Sequence, residues 1–223
     1  MNRNMATIIS AVGQKGGGGK STACISLAVE YARRGARVLI GDADPQGTCL
    51  TWAAVAAEAD IEIPTVVGLH EGFHRPGQLP LEAYDIAILD TPARLAKVSR
   101  AALVLADIAV VPVSAGGIES WALSETLEVV QEAEIIRPDL KAFLLVNRQQ
   151  KTGIAKATMK TLADSGMPMF GTCFGFRVAF QESITAGRGP TTWEPHGKAA
   201  AEVQSLADEI TEILSHVQQA ANA

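Results

Sequence analysis

The residues best suited to chemistry lie in one run, Gly13-Gln14-Lys15-Gly16-Gly17-Gly18-Gly19-Lys20-Ser21-Thr22. Glycines let a backbone curl until several N–H groups face one anion. Read from Gly13 to Gly19-Lys20-Ser21, the run fits the phosphate-loop pattern G-x-x-x-x-G-K-[ST]. Gly16, Gly17, Gly18, Gly19, Lys20, Ser21 and Thr22 are then the candidate phosphate cradle. In such a loop the lysine reaches the outer phosphates and the Ser21 hydroxyl is a ligand for Mg2+. The apolar run Ile8-Ile9-Ser10-Ala11-Val12 precedes it, and a helical pattern reaching Arg34 follows. A helix opening near Ser21 would turn the positive end of its dipole toward the same anion. A flexible glycine linker rarely sits between a buried strand and an amphipathic helix.

Carboxylates follow at two later strand ends. Val38-Leu39-Ile40 runs into Gly41-Asp42-Ala43-Asp44-Pro45-Gln46-Gly47-Thr48, and Ile86-Ala87-Ile88-Leu89 into Asp90-Thr91-Pro92-Ala93. Carboxylates at the carboxyl ends of parallel strands face the ligand crevice. The same residues also build ordinary turns, but a neighbouring phosphate loop favours the site. An apolar run closed by Asp90 has the logic of a carboxylate held beside Mg2+.

The elements that must position these groups alternate. Strands are expected at Thr7–Val12, Val38–Ile40, Ile63–Val67, Ile86–Leu89, Ile108–Val113 and Ala142–Val146, with a last one at Pro168–Phe174. Helices are expected to Arg34, then over Thr48–Ala59, Ser99–Ala106, Ile118–Ile136, Lys151–Ser165, a short one from Phe176 to near Gly187, and Gly197–Ala220. Cys24, Leu27, Ala28 and Tyr31 make the apolar stripe of the first helix. Glu119, Glu125, Glu128, Glu132 and Glu134 read as the solvated side of the fourth. His70 and His74 lie in a stretch with Gly72 and Pro76, so a surface loop is favoured over a metal pair. Pro190 and Pro195 punctuate a loop before the closing helix. The order predicts an α/β fold: a doubly wound, mainly parallel sheet with helices on both faces, one domain over residues 1–223.

Composition bounds the rest. The chain has 223 residues, 48% hydrophobic and 5% aromatic, which suits strands buried on both faces. Its three cysteines, Cys24, Cys49 and Cys173, match neither a disulfide framework nor a zinc pattern, and fit a reducing cytosol. Met1-Asn2-Arg3-Asn4-Met5 leads straight into a strand, with no signal-peptide pattern, and no apolar run approaches membrane-spanning length. Net charge is −5, yet Lys141 to Lys198 holds eight basic and three acidic residues. A basic region on an acidic protein can still meet a polyanion, and a solvated basic face is the equal alternative.

The order Lys15-Gly-Gly-x-Gly-Lys20-Ser21 carries a second lysine. It resembles the deviant Walker A loop of the ParA/MinD family of P-loop ATPases, closest to small plasmid-type ParA partition proteins. Asp-x-Asp-Pro-Gln-Gly at Asp42–Gly47 and Asp90-Thr91-Pro92 look like that family's two switch motifs. Resemblance extends over nearly the whole chain and is weaker beyond Asn147. It implies an Mg2+-dependent ATP hydrolase with ATP or ADP as ligand. Lys15 would cross to the nucleotide of the other subunit, Lys20 would hold the phosphates, and Asp44 would activate water. Asp42 and Asp90 would support Mg2+ with Ser21, and Asn147 would contact adenine. It further implies a homodimer when ATP-bound, non-specific DNA as partner, and a ParB-like or cargo-adaptor protein that stimulates hydrolysis. The role expected is segregation of plasmid or chromosomal DNA in the cytoplasm, on the nucleoid. Arg177 is the first DNA candidate, with Arg188, Lys156 and Lys160 beside it, and binding should be salt-sensitive and lost in Arg177→Ala. A related ATPase positioning a protein cargo, such as a chemotaxis cluster or carboxysome, is the alternative. A MinD-like membrane ATPase would need a basic amphipathic tail, and no Lys or Arg follows Lys198. An iron–sulfur reductase would need paired cysteines, and a non-hydrolysing nucleotide binder is a further option.

Overall fold

The computed structural model describes residues 6–75, 77–93, 96–116 and 120–221, with only the backbone at 120–122 and 218–221. The readings at Met1–Met5, Pro76, Ile118 and Glu119 lie outside the described residues. The strands are β1 (Thr7–Ala11), β2 (Val38–Asp42), β3 (Thr65–Gly68), β4 (Ile86–Asp90), β5 (Ile108–Ser114) and β6 (Lys141–Asn147). Between and after them come α1 (Lys20–Arg33), α2 (Thr48–Glu58), α3 (Ala96–Leu105), α4 (Ser120–Ile136) and α5 (Gly153–Asp164). The chain closes with α6 (Val178–Thr185), α7 (Pro190–Trp193) and α8 (Lys198–Ala221).

The strands form one parallel sheet in the order β3-β2-β4-β1-β5-β6. Alternate residues of each strand enter opposite cores, as the two-residue period of a strand requires. Ile8, Leu39, Leu89, Val111 and Leu144 pack on one side with α3, α4 and α5. Ile9, Ile40, Ile88, Val110 and Leu145 pack on the other with α1, α2, α6 and α8. The near-continuous apolar runs seen in the sequence are the signature of strands covered on both faces.

Register places the acidic strand ends. Asp90 pairs with both Ala11 on β1 and Asp42 on β2. The two carboxylates therefore sit in one row on neighbouring strands, beside the strand that feeds the glycine loop. Each is the last residue of its strand, so the turns begin later than the sequence suggested.

Two expectations change. Pro168–Phe174 is not a strand: it meets β6 through an isolated bridge between Met169 and Leu144 and a bond from the Phe174 N–H to the Val146 carbonyl, and a second bridge joins Gly175 to Gln149 past the end of β6. Between them the backbone N–H groups of Gly171 and Thr172 are taken by the Glu209 carboxylate of α8, at 2.6 and 3.1 Å. Pro190 opens the short helix α7 where a loop was expected, which suits proline at a first helical position.

Candidate functional site

The glycine loop hangs between β1 and α1 at the carboxyl edge of the sheet. Gly19 is the N-cap of α1 and has φ 103°, a conformation that needs glycine. A Cβ there would lie 2.0 Å from Asn147 Nδ2. Counting back six from Lys20, the first glycine position of the pattern falls on Gln14 and not on Gly13. Gln14 is buried, and its N–H donates to Thr126 Oγ1 of α4 at 3.1 Å, so the loop tolerates a larger residue there. The pattern thus begins at Gln14, one residue after Gly13.

Three further bonds shape the loop and its support. Asn147, at the end of β6, donates from Nδ2 to the Gly18 carbonyl at 2.9 Å. Its Oδ1 accepts the Arg148 N–H at 2.8 Å. Lys20 Nζ donates to the Lys15 carbonyl at 3.3 Å. Burial pulls the Lys20 ammonium below its usual pKa, while Asp90 and Asp44 favour its charge. A cavity of about 260 Å3 opens beside the loop, lined by Lys15, Gly16, Ser114, Thr126 and Arg148 among others. Nothing in the sequence marks Arg148 as a site residue. It has φ 55°, in a region where non-glycine residues are uncommon and often functional.

Asp42 and Asp90 behave differently. Asp42 Oδ2 accepts the N–H of Cys49 and of Leu50 at 2.9 and 3.1 Å, capping α2, and Oδ1 accepts the Asp44 N–H at 3.1 Å. Asp44 Oδ1 in turn accepts the Gln46 N–H at 2.9 Å, which closes the turn. Asp90 is fully buried. Burial pushes its carboxyl up to about 6; Asp42 adds to that, and Ser21, Cys49 and Lys20 oppose it. Cys49 Sγ lies 3.4 Å from Asp90 Oδ2, while Oδ1 has no hydrogen-bond partner among the described residues. A buried carboxylate oxygen without a partner, near the half-buried Ser21, fits a hard cation that takes oxygen ligands. Thr91 of the same turn donates to the Ala11 carbonyl at 2.8 Å, tying β4 to β1 where the loop begins.

The cysteines Cys24 and Cys49 are fully buried, and burial raises both thiols. Nothing in the sequence marks Cys49, a small residue just past the acidic turn, as part of the site. His70 and His74 are exposed in the loop before Leu81.

The four basic candidates do not form one patch. Lys156 and Lys160 are exposed on α5, over the sheet face shared with α3 and α4. Arg177 is the N-cap of α6 on the other face and is half-buried against Glu202 of α8, with Nε donating to Oε1 at 2.9 Å. Arg188 lines a groove with Arg33 and Arg37 near the starts of β2 and β3, at the opposite edge from the glycine loop. Among the described residues no helix is long and apolar enough to cross a membrane.

The pattern of the CobQ/CobB/MinD/ParA nucleotide binding domain matches residues 9–191. The chain is 28% identical to the maintenance of carboxysome distribution protein A of Halothiobacillus neapolitanus, covering 97% of this chain and 99% of that one. It is 30% identical to the chromosome-partitioning ATPase Soj of Thermus thermophilus, covering 95% and 97%. Among solved structures, a protein assigned to plasmid partition from Borrelia burgdorferi, bound to AMPPNP, superposes with a TM-score of 0.72 at 19% identity, covering 93% and 99%. The glycine loop, the in-register carboxylates and these matches agree: the chain belongs to the CobQ/CobB/MinD/ParA nucleotide-binding family of P-loop ATPases.

Proposed function

We propose that this chain hydrolyses ATP with Mg2+, dimerises in its ATP-bound state and uses that cycle to position a cargo on DNA. The observation that carries this reading is Lys20 set beside Asp90 and Asp44, with Asp42 and Asp90 in register at neighbouring strand ends and Lys15 in the same loop. The phosphates would lie on the amides of Gly16 to Gly19 and the head of α1, with Thr22 in its first turn. Lys20 Nζ would exchange the Lys15 carbonyl for a phosphate oxygen. Ser21 and Asp90 would hold Mg2+, with Asp42 in support, and the bound ion would neutralise charge developing on the phosphates. Asp44 would orient the attacking water. Lys15 of a second copy would complete the charge stabilisation, since catalysis of this kind is mostly positioning and electrostatics. Asn147 would serve the adenine from beneath the loop.

The cargo has two readings. Segregation of plasmid or chromosomal DNA is supported by the likeness to Soj, and a ParB-like protein would then stimulate hydrolysis. A protein cargo with its adaptor is supported by the end-to-end match to the carboxysome distribution protein. Either places the protein on the nucleoid of the cytoplasm, with DNA bound non-specifically through phosphate contacts. Gel filtration and DNA binding without nucleotide, with ADP and with ATP test the cycle. A dimer and salt-sensitive DNA binding are expected with ATP alone. If Lys15→Gln kept full ATP-dependent dimerisation and turnover, the cross-subunit role would be wrong.

A further inference from the structure

Both site carboxylates converge on one residue that has no role in the reading above. The Cys49 N–H donates to Asp42 Oδ2 at 2.9 Å, and the Cys49 thiol lies 3.4 Å from Asp90 Oδ2. Its backbone thus serves one acid and its side chain the other. Cys49 is fully buried in the first turn of α2, directly after the Asp42–Gly47 turn. Asp90 is equally buried, and its Oδ1 has no hydrogen-bond partner among the described residues.

A carboxylate is symmetric, and rotation exchanges its two oxygens. A donor fixed on one oxygen removes that equivalence and aims the other. We propose that Cys49 is a positioning residue: its thiol holds Asp90 Oδ2 so that Oδ1 is presented to the divalent cation, and it couples that carboxylate to the Asp42–Gly47 turn through α2. The inference rests on the Mg2+-dependent reading of the site.

The coupling has a mechanical consequence. Any rearrangement of the turn that lifts the start of α2 withdraws the Asp42 cap and the Asp90 thiol together. Cation affinity and turn position are thereby linked through one residue. Sulfur suits the task because a thiol is a weak donor. It orients the carboxylate while leaving its charge for the cation. Groups that orient metal ligands typically contribute about 10–100-fold in metal affinity.

The test uses the full chain and Mn2+ as a probe, followed by electron paramagnetic resonance in the ADP complex. Wild type, Cys49→Ala and Cys49→Ser are compared, with urea unfolding as a separate measure of packing. Cys49→Ala should weaken Mn2+ about tenfold while metal-free ADP affinity stays within about twofold. Cys49→Ser keeps a donor and should recover most of the Mn2+ affinity, even where the smaller side chain lowers stability. If Cys49→Ala loses stability but binds Mn2+ as wild type does, the thiol is only a packing group and the proposal fails. If Cys49→Ser remains folded and is as impaired as Cys49→Ala, the donor role fails. If wild type binds no ADP, the nucleotide reading itself falls, and this proposal with it.

Discussion

Asn147 Nδ2 and the Gly18 carbonyl are 2.9 Å apart, so the end of β6 braces the glycine loop from below. Asn147 is buried, and the bond spans much of the chain. Removing a buried hydrogen bond and orphaning its acceptor costs about 1–3 kcal/mol. Asn147→Ala should therefore weaken ADP binding about 5–150-fold, measured by fluorescence titration. If the residue serves only adenine, GTP and ATP affinities would converge in the variant while the loop stays intact.

Gly19→Ala meets the same side chain from the other direction. Its φ of 103° and the 2.0 Å approach of Asn147 Nδ2 leave no room for a methyl group. Nucleotide affinity should fall at least about tenfold. Because part of the clash is with a side chain, the double variant Gly19→Ala/Asn147→Ala should lose less than the sum of the singles. Additive losses in a double-mutant cycle would refute the contact.

Asp90 makes the nucleotide-free protein sensitive to pH. Its folded pKa, about 6, lies above the ordinary 3.8. The folded form therefore holds this proton more tightly than the unfolded chain. Its contribution is fullest below about 4 and is lost as pH rises through about 6. Asp90→Asn should raise stability at pH 7 by up to about 3 kcal/mol and flatten the dependence across that window. Turnover should disappear in the same variant. Urea unfolding at several pH values, together with an ATPase assay, checks both.

Glu30 is a structural counterpart with the opposite sign. It is fully buried in α1, bonded to Arg33 at 2.8 and 2.9 Å and to Arg34 at 2.7 Å, and Arg34 continues to Asp208 of α8 at 2.6 Å. Burial pushes its carboxyl up, but the two arginines outweigh that and hold it below the ordinary value. Its stabilisation is present at neutral pH and is lost as pH falls through the lowered pKa. Glu30→Ala should cost about 1–3 kcal/mol, since both arginines can turn to water. Turnover per folded molecule should be unchanged, as read by unfolding and ATPase measurements on the same sample.

Arg177 is already paired with Glu202, whereas Lys156 and Lys160 are exposed on α5. If DNA is bound, the Lys156→Ala/Lys160→Ala double variant should weaken it more than Arg177→Ala does. The salt slope of the double variant should also fall by about 2. Filter binding over a salt series with ATP separates the two. A larger loss in Arg177→Ala would restore the face of α6 and α8 as the contact surface.

The parts legible in the sequence were those written in short-range patterns. Apolar runs ending in glycine or aspartate located β1, β2 and β4, and the loop announced itself by residue type. What stayed hidden depends on distant partners. Pro168–Phe174 has strand-like residues, but Glu209, far along the chain, takes the N–H groups a strand would use. Cys49 reads as a small apolar residue until β2 and β4 bring Asp42 and Asp90 into one row above it. Arg177 looks like an available cation because its Glu202 partner lies on another helix. Charge counted along the chain carries no information on which charges are already met.

The glycine loop is borne by β1, which lies inside the sheet with β4 and β5 as neighbours, while the short, partly exposed β3 forms one border. Amide protons should report that ranking. Those of β3 would exchange with solvent through local fraying, and those of β1 only when the whole molecule opens. The border can loosen and re-form many times without the loop losing its footing. Substitutions along β3 can therefore accumulate with little effect on the site, while any that disturb β1 must be felt by the entire fold.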